Sequence, residues 1–134
     1  MDEIVVNIKK YLKIINTNTE KIEQEHEGLL EFAIGEVLDR VQLYLNSETI
    51  PTKLERILAN IVNTGLKRCL NNLDNTAVDQ VVTSISDNGQ SISYANEVTK
   101  YFTTVSDEEL FTGFSGLLSR YRRVKVVYPA KNEN

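Results

Sequence analysis

A chain of 134 residues, 41% apolar and 25% charged, has the composition of one globular domain. At this length folding buries roughly two-thirds of the unfolded surface, so no disulfide or metal staple is required, and the single cysteine, Cys69, excludes an intramolecular disulfide. The net charge of −4 weighs against a phosphate-binding surface, whose affinity comes from clustered Lys and Arg.

The charge is unevenly placed. Between Glu20 and Asp39 there are seven acids and one base, whereas from Arg120 to the end there are five bases and one acid. Such asymmetry marks either an interaction tail or ordinary solvated faces. A lone cysteine suits a reducing compartment. Met1-Asp2-Glu3 is acidic where a signal peptide is basic, and no apolar run approaches the length of a membrane span.

Asp2 is placed to cap a first helix from about Glu3 to Ile15, with Ile4, Ile8, Leu12 and Ile15 on one face and Lys9, Lys10 and Lys13 toward its C-terminal end. Asn16-Thr17-Asn18-Thr19 breaks it, because these side chains bond their own backbone. A second helix is expected over 20–45, starting at Glu20 or, where apolar residues begin, nearer Glu27. Its stripe is Leu30, Ile34, Val37, Leu38, Val41 and Leu45, and Gly35 within it suggests close approach of a neighbouring helix.

After the 46–51 turn, Thr52-Lys53-Leu54-Glu55 fits a capping box. The third helix then runs to about Asn71 on Leu54, Ile57, Leu58, Ile61, Val62, Leu66, Cys69 and Leu70, and should pair with the second as an αα-hairpin. Val81, Thr83 and Ile85, then Ile92 and Tyr94, alternate with polar residues around Asn88-Gly89. An Asn-Gly turn between alternating segments predicts a β-hairpin over 81–95, pairing Ile85 with Ile92. A hairpin alone is marginal in water and must pack on something. Ser106-Asp107-Glu108-Glu109 is a second capping box, opening a last helix to Arg122 or Arg123 on Leu110, Phe114, Leu117, Leu118 and Tyr121. Val124, Val126 and Tyr128 then alternate in an extended tail that Pro129 ends, and 129–134 is expected to be disordered. The expected fold is thus mainly α: one domain over 1–128, a small bundle of about four helices with one hairpin and an extended C-terminal tail.

Chemistry is hard to place on this pattern. His26, the only histidine, sits in Gln24-Glu25-His26-Glu27 and reads as a solvated helix surface; Cys69 lies on an apolar stripe and reads as an inert buried thiol. One His and one Cys do not make a standard zinc site, and Gly113 and Gly116 sit in a helical pattern that is no phosphate cradle. Acid pairs such as Glu108-Glu109 suit helix starts. No enzyme activity, cofactor or metal is expected.

The stretch Val82–Tyr94, with Gly89-Gln90-Ser91-Ile92-Ser93-Tyr94, then Glu108-Glu109-Leu110-Phe111 and Leu117-Leu118-Ser119-Arg120-Tyr121-Arg122-Arg123, resembles the head–tail connector (adaptor) family of tailed phages. The resemblance rests on short motifs between Val81 and Arg123. It implies a small helical protein of the virion neck, made in the bacterial cytoplasm. It forms a ring beneath the portal, commonly matched to the portal's twelvefold symmetry, which extends the DNA channel and docks a stopper or tail component.

A closed ring uses head-to-tail contacts, so each subunit needs two unlike surfaces. The expected ones are the hairpin, through Ile85, Asn88, Gly89, Ile92 and Tyr94, and the tail, through Arg120, Arg122, Arg123, Val124, Lys125, Val126 and Tyr128. The tail's bases suit an acidic portal rim and its apolar residues suit strand addition. The acidic 20–39 stretch either lines the channel, where it repels passing DNA, or faces outward. The alternative reading is a helical regulatory module that binds one partner.

Overall fold

The structure is a computed structural model that describes residues 3–73 and 88–122, with side chains placed for 3–71 and 94–122. Among the described residues it is helical throughout, with no strand. The first helix, α1 (Glu3–Ile15), has the expected bounds but is rolled slightly about its axis: Val5, Ile8 and Leu12 are buried, while Ile15 is exposed. The lysine side of the helix faces outward with Val6 and Ile14.

The Asn-rich break works as its chemistry suggests. Asn16 Oδ1 accepts from the Asn18 N–H at 2.9 Å, closing an Asx turn, and its Nδ2 donates to Asn63 Oδ1 at 2.9 Å. Thr19, fully buried, donates its hydroxyl to the Leu12 carbonyl at 3.1 Å, a second donor beside the Asn16 N–H at 2.8 Å. The expected second helix is two: α2 (Thr19–Glu25) and α3 (Leu29–Leu45). Gly28, at φ +87°, makes the break, since that conformation ends a helix and favours a residue without Cβ. His26 therefore sits in the corner between α2 and α3, half-buried, not on a helix surface. All six stripe residues of α3 are buried as expected, and Asn46 in the left-handed region closes its C-terminus.

The 52–55 capping box does not form. Thr52–Leu54 makes one 3-10 turn after Pro51, and Glu55, 6% exposed, turns its carboxylate to Asn7, whose Nδ2 donates at 3.2 Å. Helix α4 (Glu55–Leu73) follows and is the centre of the bundle, packed against α1, α3 and the next helix, α5 (Asn88–Thr104).

Helix α5 overturns the hairpin. Asn88, Gly89, Ile92 and Tyr94, expected at a turn and on a strand, lie in a 17-residue helix. The reason is a stronger long-range pattern: Tyr94, Val98, Tyr101, Phe102 and Val105 recur at helical spacing and are all buried against the core. Burial of that stripe outweighs the local turn preference of one Asn-Gly pair. The first half of the expected hairpin, including Ile85, lies outside the described residues.

The last expected helix is also divided, into α6 (Asp107–Leu110) and α7 (Ser115–Ser119). Ser106 caps α6 as the box requires, accepting from the Glu109 N–H at 3.1 Å. Gly113, at φ +87°, then turns the chain. Its effect is to bury Phe111 and Leu118 and to leave Leu117 41% exposed, where one continuous stripe would have buried Leu117. Gly35 is not a point of close approach either: a Cβ there would meet nothing within 4 Å. The crowded glycine is Gly65 on α4, where a Cβ would stand 2.5 Å from Phe102 Cζ. No helix of the described residues is long and apolar enough to cross a membrane.

Candidate functional site

Helix α1, helix α3 and the turn that follows α3 line a groove of about 530 Å³. Ile4 and Val5 from α1, Leu38 from α3 and Ile50 from the turn make its floor; Glu31, Asp39 and Glu48 stand around it. Beyond Asp39 and Glu48 the groove runs into a broader shelf beside Leu43, which is 80% exposed, the most exposed large apolar side chain described. An apolar floor inside an acidic rim is a surface for a segment that is both apolar and basic.

The three carboxylates are not equivalent. Glu31 is paired with Lys9, which also holds Glu23 at 2.6 Å, and Lys13 reaches Glu23 at 3.2 Å. The Lys9 ammonium, donating to both, holds the Glu23 and Glu31 carboxyls below the ordinary carboxylate range, although burial opposes this. The same bonds, that to Glu23 first, hold Lys9 above its ordinary value. Two of the seven acids of the 20–39 stretch are thus neutralised within the fold. Asp39 and Glu48 have no ion-pair partner among the described residues.

This cluster has a definite pH signature. Depressed carboxylates contribute stability that is present above about pH 4.3 and lost as pH falls through their folded values; the raised lysine contributes below about pH 10.4 and loses that contribution as pH rises past its folded value. Because Glu31 is 45% exposed, solvent screening keeps the total small. Lys9→Met is expected to cost about 1 kcal/mol in urea unfolding at pH 7 and almost nothing at pH 2. A cost that persists at pH 2 would assign the loss to packing of the lysine stem.

Gly35 sits in this groove. Glycine in a helix interior costs up to about 1 kcal/mol against alanine, and here no side chain or backbone of the fold requires it. What its missing side chain leaves is depth in the groove. Nine residues on, about two and a half turns at 3.6 residues per turn, Tyr44 occupies the opposite side of α3. There its ring meets Phe111, centroids 5.4 Å apart, and the Arg122 guanidinium lies 5.1 Å from the Tyr44 centroid, a cation–π contact. The chain therefore leaves toward its basic terminus from the side of α3 that faces away from the groove.

Of the expected contact residues, Arg120 and Arg122 are exposed. Arg123, Val124, Lys125, Val126 and Tyr128 lie outside the described residues. Tyr94 is fully buried and is not a docking residue in this fold; burial raises its hydroxyl pKa, and among the described residues that hydroxyl has no hydrogen-bond partner. Asn88, Gly89 and Ile92 are on α5 and form no hairpin tip. Cys69 is fully buried, burial pushes its thiol up to about 12, and Sγ lies 3.8 Å from the Glu97 carbonyl oxygen. Among the described residues no group of three or more His, Cys, Asp or Glu is placed to hold a metal ion. Comparison with known protein families, curated proteins and solved structures finds no match.

Sequence reading missed the groove. Its walls come from residues far apart in the chain, and only one sign of it was local: a glycine in the middle of a long apolar stripe with charge on both sides.

Proposed function

We propose that the protein is a structural subunit of a tailed-phage head–tail connector, forming a ring below the portal that extends the DNA channel and docks a stopper or tail component. The motif resemblance between Val81 and Arg123 supports this reading, and so does the helical bundle it implies. One observation carries it: two unlike surfaces, an acid-rimmed apolar groove and a basic chain end, lie on opposite sides of α3. A head-to-tail ring needs that arrangement, because the same patch on both partners would close a dimer instead. Leu118 and Tyr121 of the Leu-Leu-x-x-Tyr-Arg-Arg motif serve the core, and Arg122 lies over Tyr44, while Arg120 is exposed for a partner.

The test is assembly. The full chain, alone and mixed with a portal ring, is imaged by electron microscopy and weighed by native mass spectrometry. Annular particles, or an added ring on the portal, are expected. A chain that stays monomeric or dimeric under both conditions overturns the reading and leaves the single-partner module in its place.

A further inference from the structure

We infer that the groove between α1 and α3 is filled by the C-terminal segment 123–128 of a second copy of this chain. The inference deepens the ring reading, on which it rests for the presence of neighbouring copies, by naming the two halves of the contact between them. Three observations converge on this occupant. The first is charge and chemistry: the groove has an apolar floor with Asp39 and Glu48 at its edge, without an ion-pair partner among the described residues, and the segment is Arg123-Val124-Lys125-Val126-Val127-Tyr128, two bases among three valines and a tyrosine. The one other stretch of like make-up, Ile8–Ile14, is folded into α1.

The second is Gly35. Its helix would be more stable with any ordinary residue there, and the fold supplies no steric reason for glycine. Among the described residues nothing occupies the space beside Gly35, so the groove keeps a depth that a side chain from another copy can fill. The third is position. Arg122, the last residue described, lies over Tyr44 on the side of α3 away from its own groove. Donor and acceptor on opposite sides of one helix make a contact that repeats from copy to copy.

Cysteine pairing tests this directly. Gly35→Cys and Val126→Cys are made separately in the full chain with Cys69→Ala, mixed under mild oxidation, and run on a non-reducing gel, both free at high concentration and mixed with portal rings. The doubly substituted chain is run beside them, and Asn60→Cys, on the exposed side of α4, replaces Gly35→Cys as the control. A covalent dimer between copies, at least about tenfold more than the control, is expected. Gly35→Leu, which fills the groove, is expected to weaken association at least about tenfold while circular dichroism shows the same helix content. A loop closed within one doubly substituted chain, pairing no better than the control in both conditions, or undiminished association of Gly35→Leu each overturns the inference. Its failure is separable from that of the ring reading: pairing between copies without annular particles removes the ring and keeps the contact, and annular particles without pairing do the reverse.

Discussion

Gly65→Leu is expected to cost 3 kcal/mol or more of folding stability, roughly the upper end for overpacking a core, and Gly65→Ala a net of up to about 2 kcal/mol. At this position α4 approaches α5 so closely that a Cβ would stand 2.5 Å from Phe102 Cζ and 2.9 Å from Tyr101 Cε2. Neither ring is free to yield. Phe102 is 1% exposed and Tyr101 7% exposed, the two rings meet edge to face at 5.0 Å, and the Tyr101 hydroxyl accepts from Arg68 at 3.0 Å. Alanine gains up to about 1 kcal/mol of helix propensity, but forcing the rings apart costs about 1–3 kcal/mol. Gly35→Ala is the control on a neighbouring helix: it gains the same propensity with nothing in its way, so its sign is opposite. Urea unfolding followed by circular dichroism reads both. If Gly65→Ala is as stable as Gly35→Ala, the α4–α5 contact is not where the structure puts it. Trimming the obstruction gives a second check, since Phe102→Leu should recover part of the loss in the Gly65→Ala chain and only lower stability in the parent.

These two glycines also show what a sequence can and cannot disclose. Both interrupt apolar helical stripes, and nothing local distinguishes the one that a neighbour crowds from the one that leaves a space. Helices α1, α3 and α4 were legible because each is a long stripe, and two of them have a chemical stop, Asn16 after α1 and Asn46 after α3. The start of α6 was legible for the same reason, in the Ser106 cap. What misled was a local signal competing with a distant one. Asn88-Gly89 favours a tight turn by backbone geometry alone, whereas Tyr94, Val98 and Phe102 favour helix only once the core they pack into exists. The positive-φ glycines at 28 and 113 broke two expected helices for a related reason. Glycine is compatible with both helix and turn, and packing on either side decides between them. The groove follows this logic further, since Ile4, Gly35 and Ile50 meet only after three elements have docked.

Arg40→Met is expected to cost about 2–3 kcal/mol, the range for hydrogen bonds to a charged group. Arg40, on α3, points its guanidinium at the far end of α5, where the last carbonyls of a helix have no partner within it. Nη1 donates to the Val105 carbonyl and Nη2 to the Phe102 carbonyl at 3.4 Å. Nη1 also lies 3.3 Å from Asp107 Oδ1, but that carboxylate is 57% exposed and its pairing contributes little. The carbonyl bonds are therefore the larger part, and Asp107→Asn should cost less than about 0.5 kcal/mol. Lysine keeps the charge but not the planar fork that reaches two acceptors, so Arg40→Lys should fall between the two. Urea unfolding of the three variants gives the order; an Asp107→Asn loss equal to that of Arg40→Met would transfer the effect to the ion pair. The same residue bears on assembly. One helical turn beyond Arg40, Tyr44 carries Phe111 and Arg122, so the guanidinium holds α5 and the start of α6 against the face from which the basic chain end departs. Loosening that face lets the departure point wander, and a contact that depends on where Arg122 leaves the bundle should weaken in Arg40→Met even at denaturant-free concentrations where the chain is fully folded.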